Sequence, residues 1–171
     1  MVVTPEEFRD RYGIDARILH EVTEIDLKER RLHVRDLKEG KEHREAFDLL
    51  MIATGAVPFC PDVPGSKARG VYGLHSLQSG IRVRDVIDRE KPERAVIIGG
   101  GYIGLEMAEA LIMRGLDVSL VELAAQVMNT LDPDMGSLVS EALMRVGVKL
   151  FREESFRSVE VEQDRVQAVV T

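Results

Sequence analysis

Apolar and charged positions change their spacing along the chain, and those changes mark out its elements. TPEEFRDRY, residues 4–12, opens with a capping threonine, a first-turn proline and two acids suited to a positive helix end, and it predicts a short helix closed by Gly13. Residues 17–19 and 21–27 read as extended, with Val22, Ile25 and Leu27 as the inward side chains. Lys28, Glu29, Arg30 and Arg31 make a turn, and residues 32–37 alternate apolar and charged positions with the period of a half-buried strand. A second turn carrying Gly40 leads into another extended run, so the whole stretch predicts an antiparallel β-meander. Residues 47–53, FDLLMIA, are more uniformly apolar and predict a buried strand.

Proline then punctuates the chain at Pro58, Pro61 and Pro64. Proline donates no ladder hydrogen bond, so residues 58–70 read as an extended crossover at a domain boundary, with Pro64 and Gly65 in a turn. Residues 77–89 predict a surface helix whose apolar positions are Ile81, Val83, Val86 and Ile87. The most patterned stretch is residues 95–122. A short β-branched run predicts a parallel strand buried on both faces, then come glycines, and then Ile103, Met107, Ala108, Leu111 and Ile112 at helical spacing. Gly115 sits where a left-handed residue would end that helix, and a second apolar strand finishes at Glu122. Asp132 and Pro133 open a further helix with Leu138, Val139, Ala142, Leu143 and Val146 on its apolar side. Gly147 caps it, residues 148–151 supply a third strand, and residues 156–161 and 166–171 predict a hairpin around Gln163 and Asp164. The predicted fold class is α/β: a Rossmann-like nucleotide-binding βαβ domain, truncated, preceded by an antiparallel β-meander.

Gly99, Gly101 and Gly104 fit the spacing G-x-G-x-x-G, and Gly100 adds further freedom. The first glycine permits a tight turn, the second lets the backbone approach a pyrophosphate, and the third lets helix pack closely on strand. The free N–H groups and positive dipole end of the following helix would receive the diphosphate. Glu122 is placed to accept both ribose hydroxyls of an adenosine. A tight strand-to-helix turn beside a surface glutamate is the competing interpretation, but strand, helix, second strand and terminal acid all accompany the glycines. The acid would repel a ribose 2′-phosphate, and Leu123, Ala124 and Ala125 supply no arginine to attract one, so NAD(H) is favoured over NADP(H).

Composition narrows the function classes. The chain has 171 residues, 44% hydrophobic and 31% charged, as in an ordinary globular protein, and its net charge of −7 argues against a nucleic-acid partner. No apolar run is long enough to span a bilayer, the first residues lack a signal peptide's apolar core, and the single cysteine excludes an internal disulfide framework. No membrane association and a cytoplasmic, reducing location are expected. Cys60 lies between Phe59 and Pro61 with no basic neighbour to stabilise a thiolate, so it reads as a linker residue. His20, His33, His43 and His75 have no metal-ligand spacing, and no metal site is expected. Arg9 and Arg11 read as a solvated helix face. No carboxylate pair is marked as a general acid and base, and no catalytic residue is assigned.

Three ordered blocks, DLLMIATGAVPFCPDVPG at residues 48–65, GGGYIGLEMAEAL at 99–111 and LDPDM at 131–135, give the sequence a family likeness. It resembles the flavin-dependent pyridine nucleotide-disulfide oxidoreductases, above all their NADH oxidase and coenzyme A-disulfide reductase branch. The resemblance implies that residues 1–57 are a partial FAD-domain segment, 58–70 the crossover, and 71–171 an NAD(H)-binding domain that is incomplete at its C-terminal side. It implies hydride transfer from NADH to FAD and on to a cysteine, a disulfide, a coenzyme A disulfide or persulfide, or oxygen. Tyr102 matches the tyrosine that lies against the flavin until NADH displaces it, and Glu106 an acid near the nicotinamide; Ile103 falls within the same cofactor-binding motif. Ala53, Thr54 and Gly55 match a block passing close to FAD, and Val22 a position whose backbone meets the flavin's adenine. The family's N-terminal glycine motif for FAD is absent before Gly99 and its redox cysteine motif is not seen, so the chain reads as an internal fragment. The full-length protein is then expected to bind FAD and to form a homodimer through a further domain. A stand-alone nucleotide-binding or interaction module is the alternative.

Overall fold

The computed structural model describes residues 3–171, and the chain divides into two compact units, Met1–Gly55 and Ala56–Thr171. In the first, helix α1 (Pro5–Tyr12) is held by a reciprocal capping box: Thr4 Oγ1 accepts from the Glu7 N–H at 3.3 Å, and the Glu7 carboxylate accepts from the Thr4 N–H at 3.2 Å. Strands β1 (His20–Asp26), β2 (Arg31–Asp36) and β3 (Glu42–Ala46) follow as an antiparallel meander in sequential order. Its turns reuse one tetrapeptide, Asp-Leu-Lys-Glu. Asp26 Oδ1 accepts from the Lys28 and Glu29 N–H groups at 2.9 and 3.0 Å, and Asp36 Oδ1 from those of Lys38 and Glu39 at 2.8 and 3.1 Å. These bonds, led by the Glu29 and Glu39 N–H groups, favour the ionised form and hold both carboxyls below their usual range.

Several expectations for this unit are corrected. Residues 17–19 turn rather than extend: Leu19 has a φ of 57°, and its carbonyl accepts from the Leu37 N–H at 2.8 Å. Val22, Ile25 and Leu27 are exposed, and Val34 is the hydrophobic residue buried in this unit among those described. No second layer packs on the short, charge-rich sheet within the unit, so alternation there produces two solvated faces. Residues 47–53 are irregular, not a buried strand, and Leu49 is 94% exposed. A continuous apolar run becomes a buried strand only between neighbours that take up its N–H and C=O groups, and no strand of the unit pairs with it.

The second unit carries a parallel sheet of β4 (Arg94–Ile98), β5 (Asp117–Glu122) and β6 (Lys149–Arg152), in the order β4-β5-β6. Helices α3 (Tyr102–Met113) and α4 (Pro133–Arg145) make the two crossovers. Ile98 is in register with Val121, and Glu122 with Arg152. The core joins Val118 and Leu120 of β5 to Ala108 and Leu111 of α3, Leu143 of α4, and Val127 of the loop after β5. Each such Leu or Val contributes about 1.5–3 kcal/mol relative to its exposed state. Both helices stop in the same way. Gly115 N–H reaches Ile112 O at 2.8 Å and Leu116 N–H reaches Leu111 O at 3.1 Å; Gly147 N–H reaches Met144 O and Val148 N–H reaches Leu143 O, both at 3.1 Å. Leu116 and Val148, which follow these stops, are buried with the helix residues they reach back to.

The expectation that residues 95–98 form a strand buried on both faces is overturned: β5 is the central strand, and Val96 and Ile98 of β4 are exposed on the face opposite the one that Ala95 and Ile97 turn to the core. On α4 the buried line is Gly136, Ser140 and Leu143, whereas Leu138, Ala142 and Val146 are exposed. Small residues turn inward because the loop lies close: a Cβ on Gly136 would meet the Gln126 amide at 2.5 Å. The Ser140 hydroxyl is satisfied inside the helix by donating to the Gly136 carbonyl at 2.8 Å.

The proline-rich stretch packs against the hairpin of β7 (Ser158–Glu162) and β8 (Arg165–Val170). Ser66 N–H donates to Val63 O at 3.1 Å, with Pro64 and then Gly65, at a φ of 80°, in the middle of the turn. Val159 N–H donates to Pro64 O at 2.8 Å, Arg69 N–H to Asp164 O at 2.9 Å, and Val166 N–H to Arg69 O at 2.9 Å. The hairpin closes at Gln163 and Asp164, whose φ of 49° and 60° match the twist of the strands they join.

Helix α2 (Leu77–Glu90) ends at an ionic cluster. The Glu90 side chain is only 13% exposed and lies 2.6 Å from Arg69 Nη2, 2.7 Å from Arg165 Nη2 and 3.5 Å from Arg89 Nη2. Hydrogen bonding from Arg69, reinforced by the charges of Arg69 and Arg165, holds its carboxyl below the usual range. A depressed carboxyl pKa stabilises the fold above the unfolded-state value, and this contribution is lost as pH falls through the folded-state value. Glu90→Gln is therefore expected to lower the urea midpoint equally at about pH 7 and pH 6, with the gap to wild type closing at about pH 3. An undiminished gap in acid would show that the ion pairs are not its source.

Candidate functional site

The site is built where β4 meets α3. β4 is followed by Gly99, whose φ of 102° turns the chain out of the sheet while its N–H stays bonded to Val121 O at 2.8 Å. Gly100 is fixed on both sides: its N–H donates to Glu122 Oε2 at 2.6 Å, and its carbonyl accepts from the Met128 N–H at 2.8 Å. Val127, fully buried, closes over it, so a Cβ on Gly100 would meet Val127 Cγ1 at 2.8 Å. The other carboxylate oxygen, Oε1 of Glu122, accepts from the Ala124 N–H at 2.7 Å. The acid at the end of β5 thus pins the glycine turn and the loop that follows it.

The three motif glycines have three different reasons to be glycine. Gly99 needs its left-handed backbone. A Cβ on Gly104 would lie 2.1 Å from the Gly99 carbonyl oxygen and 3.4 Å from Ile97 Cγ2, so this glycine sets the approach of α3 to β4. Gly101 has neither constraint. Its φ is −76°, an added Cβ would meet nothing within 4 Å, and it caps α3 without any side-chain bond. A serine or aspartate there would satisfy a helix N–H, and that uncapped end leaves the first donors of α3 and its positive dipole open to solvent.

Tyr102 is 70% exposed at the start of α3, and Glu106, also exposed, follows one turn later on the same face. Ile103 lies between them in sequence and is partly exposed. Gly99, Gly100, Gly101, Tyr102, Ile103, Gly104, Glu106 and Glu122 are therefore gathered on one end of the sheet. Val22, Ala53, Thr54 and Gly55 belong to the first unit, where all are exposed: Val22 of β1 pairs with Val34 of β2, and the other residues lie in irregular chain.

Sequence reading missed three participants. Val127 and Met128 fasten the loop after β5 onto Gly100, and the only local signal was an apolar residue in a loop. Arg152, at the end of β6, donates through Nη1 to the Ala125 carbonyl at 3.3 Å and so lies against the same loop. A separate shallow cavity of about 270 Å³, lined by Asp62, Ser66, Lys67 and Asp164, sits against the hairpin rather than the glycine turn. Among the described residues no cluster of His, Cys, Asp and Glu could hold a metal ion, and no helix is long and apolar enough to cross a membrane.

Known proteins resemble this chain in sequence and in fold. A family profile described as pyridine nucleotide-disulphide oxidoreductase matches residues 6–171. The NADH oxidase of Methanocaldococcus jannaschii is 35% identical over 167 residues, which cover 97% of this chain and 37% of that protein. The NAD(P)H coenzyme A polysulfide/persulfide reductase of Pyrococcus horikoshii is 34% identical over 100% of this chain and 37% of its own. The structure of an NAD-dependent persulfide reductase from A. fulgidus superposes with a TM-score of 0.82 at 32% identity, covering 95% of this chain and 30% of that one. The chain thus spans little more than a third of the curated relatives it matches. With the family profile extending over both compact units and the glycine turn, this chain belongs to the pyridine nucleotide-disulphide oxidoreductase family.

Proposed function

We propose that this chain is the NAD(H)-binding segment of a flavoprotein oxidoreductase that oxidises NADH and passes the electrons through FAD to a disulfide, a coenzyme A disulfide or persulfide, or oxygen. The observation that carries the reading is Gly101, a glycine that neither backbone conformation nor packing requires, at the open N-terminus of α3. The fit of a diphosphate at that position accounts for it: any side chain would fill the space the phosphates need.

In this reading the N–H groups at the start of α3 hold the diphosphate, and Glu122 fixes the turn through Gly100 while its remaining lone pairs meet the adenosine ribose hydroxyls. Tyr102 and Glu106, exposed on one helix face, stand where nicotinamide and flavin meet. Ala53, Thr54, Gly55 and Val22 lie along the FAD. The bound cofactors supply hydride transfer, and the chain's own residues bind and orient. The names of the relatives, an NADH oxidase and a coenzyme A persulfide reductase, support the reaction class. A homodimer is the proposed assembly of the full-length protein.

Glu122 places a carboxylate where a 2′-phosphate would lie, so NADH is expected to bind about tenfold or more tightly than NADPH. Calorimetric titration with each coenzyme measures this directly, and equal or reversed affinities would remove Glu122 from the ribose site.

A further inference from the structure

Parallel register brings an arginine to the acid's side that is distant in sequence. β5 ends at Glu122 and β6 at Arg152, and these are register partners, about one strand spacing apart, roughly 4.8 Å. Glu122 faces back toward the turn, with Oε2 on Gly100 N–H and Oε1 on Ala124 N–H. Arg152 faces the loop beyond. Its guanidinium is exposed and donates to a neutral carbonyl, that of Ala125, at 3.3 Å, and it joins no ion pair among the described residues. By contrast, Lys149 at the other end of the same strand is paired with Asp117 at 2.6 Å. An arginine held only by a long bond to a neutral acceptor can exchange it for a stronger, charge-assisted one.

The sheet order lays out what a bound dinucleotide would meet. Its diphosphate lies over α3, after β4; its adenosine ribose reaches the end of β5; and the next strand end outward is that of β6. A group on the ribose 2′ oxygen would then stand between Glu122 and the end of β6, where Arg152 lies. We propose that Arg152 is a specificity-determining residue for the adenosine 2′ position, offering its guanidinium to a 2′-phosphate and offsetting the repulsion from Glu122, so that NADPH is accepted as a second and weaker coenzyme. The proposal rests on the dinucleotide reading of the glycine turn.

The test titrates NADH and NADPH into the full chain as wild type, Arg152→Ala and Arg152→Lys, with thermal melts to confirm folding. The ratio of NADPH to NADH affinity should fall about tenfold in Arg152→Ala, the size of one partly solvated charge-assisted contact, and recover largely in Arg152→Lys. Added salt should weaken NADPH more than NADH in the wild type and lose that difference in Arg152→Ala. An unchanged ratio, or an equal loss for both coenzymes that would mark Arg152 as a prop for the Ala125 loop, overturns the proposal. Wild-type protein that binds neither coenzyme would instead overturn the dinucleotide reading, and this proposal with it.

Discussion

Replacing Gly101 by valine is expected to weaken NADH binding on the order of a hundredfold or more while leaving the protein folded. The binding loss follows from volume: two methyl groups would stand at the uncapped N-terminus of α3, where the proposed diphosphate site lies. The small effect on folding follows from space. The residue has an ordinary extended backbone, and nothing lies within 4 Å of an added Cβ. Valine is a poorer helix cap than glycine, so a stability loss within about 1 kcal/mol is expected. Calorimetry for affinity and a urea melt for stability separate the two quantities. Unchanged NADH affinity would refute the site assignment, and a collapse of stability would show that Gly101 serves the fold.

Gly104→Ala should act first on the fold. Its Cβ would lie 2.1 Å from the Gly99 oxygen and 3.2 Å from the Gly99 carbonyl carbon, and backbone cannot swing aside as a flexible side chain does. The helix must lift from β4, loosening the contacts that Ala108 and Leu111 make in the core. A loss of about 3 kcal/mol is expected, toward the upper end for overpacked sites, with NADH affinity reduced because the turn itself shifts. A loss below about 1 kcal/mol in the urea melt would mean that α3 and β4 pack less tightly than their geometry indicates. The two substitutions, three positions apart in one motif, thus separate on stability, which only the second is expected to lower substantially.

The features that could be read from sequence were those fixed by near neighbours. Thr4, Pro5 and Glu7 announce their capping box within one turn of helix, Gln163 and Asp164 announce a hairpin, and the order of strand, glycines, helix and acid from β4 to Glu122 was legible because each piece has its own local pattern. Burial was less legible, since it depends on which face of the sheet the helices cover. Val96 and Ile98 look as apolar as Val118 and Leu120, yet register sets the first pair on the open face and the second, beside Ala95 and Ile97, on the face where Ala108, Leu111 and Leu143 pack. Residues 47–53 have the composition of a buried strand and no pairing partner in their unit. On α4 the apolar periodicity pointed to Leu138 and Val146, but the proximity of Gln126 to Gly136 decided which face turns inward. Arg152 was invisible for the same reason: only the parallel register carries it to Glu122.

The bonds that tie Pro64 and Arg69 to Val159, Asp164 and Val166 bear on how the second unit is made. They join segments far apart in sequence, and such long-range contacts cost the most loop-closure entropy and so form late. On a ribosome, the crossover emerges well before its hairpin partner exists. The β4-β5-β6 sheet can assemble meanwhile around Val118 and Leu120, but Gly65 and Gly70 have nothing to close against until β7 and β8 have been synthesised. The hairpin therefore acts as a latch on the proline-rich stretch, which stays open until the strands that follow the parallel sheet have been made.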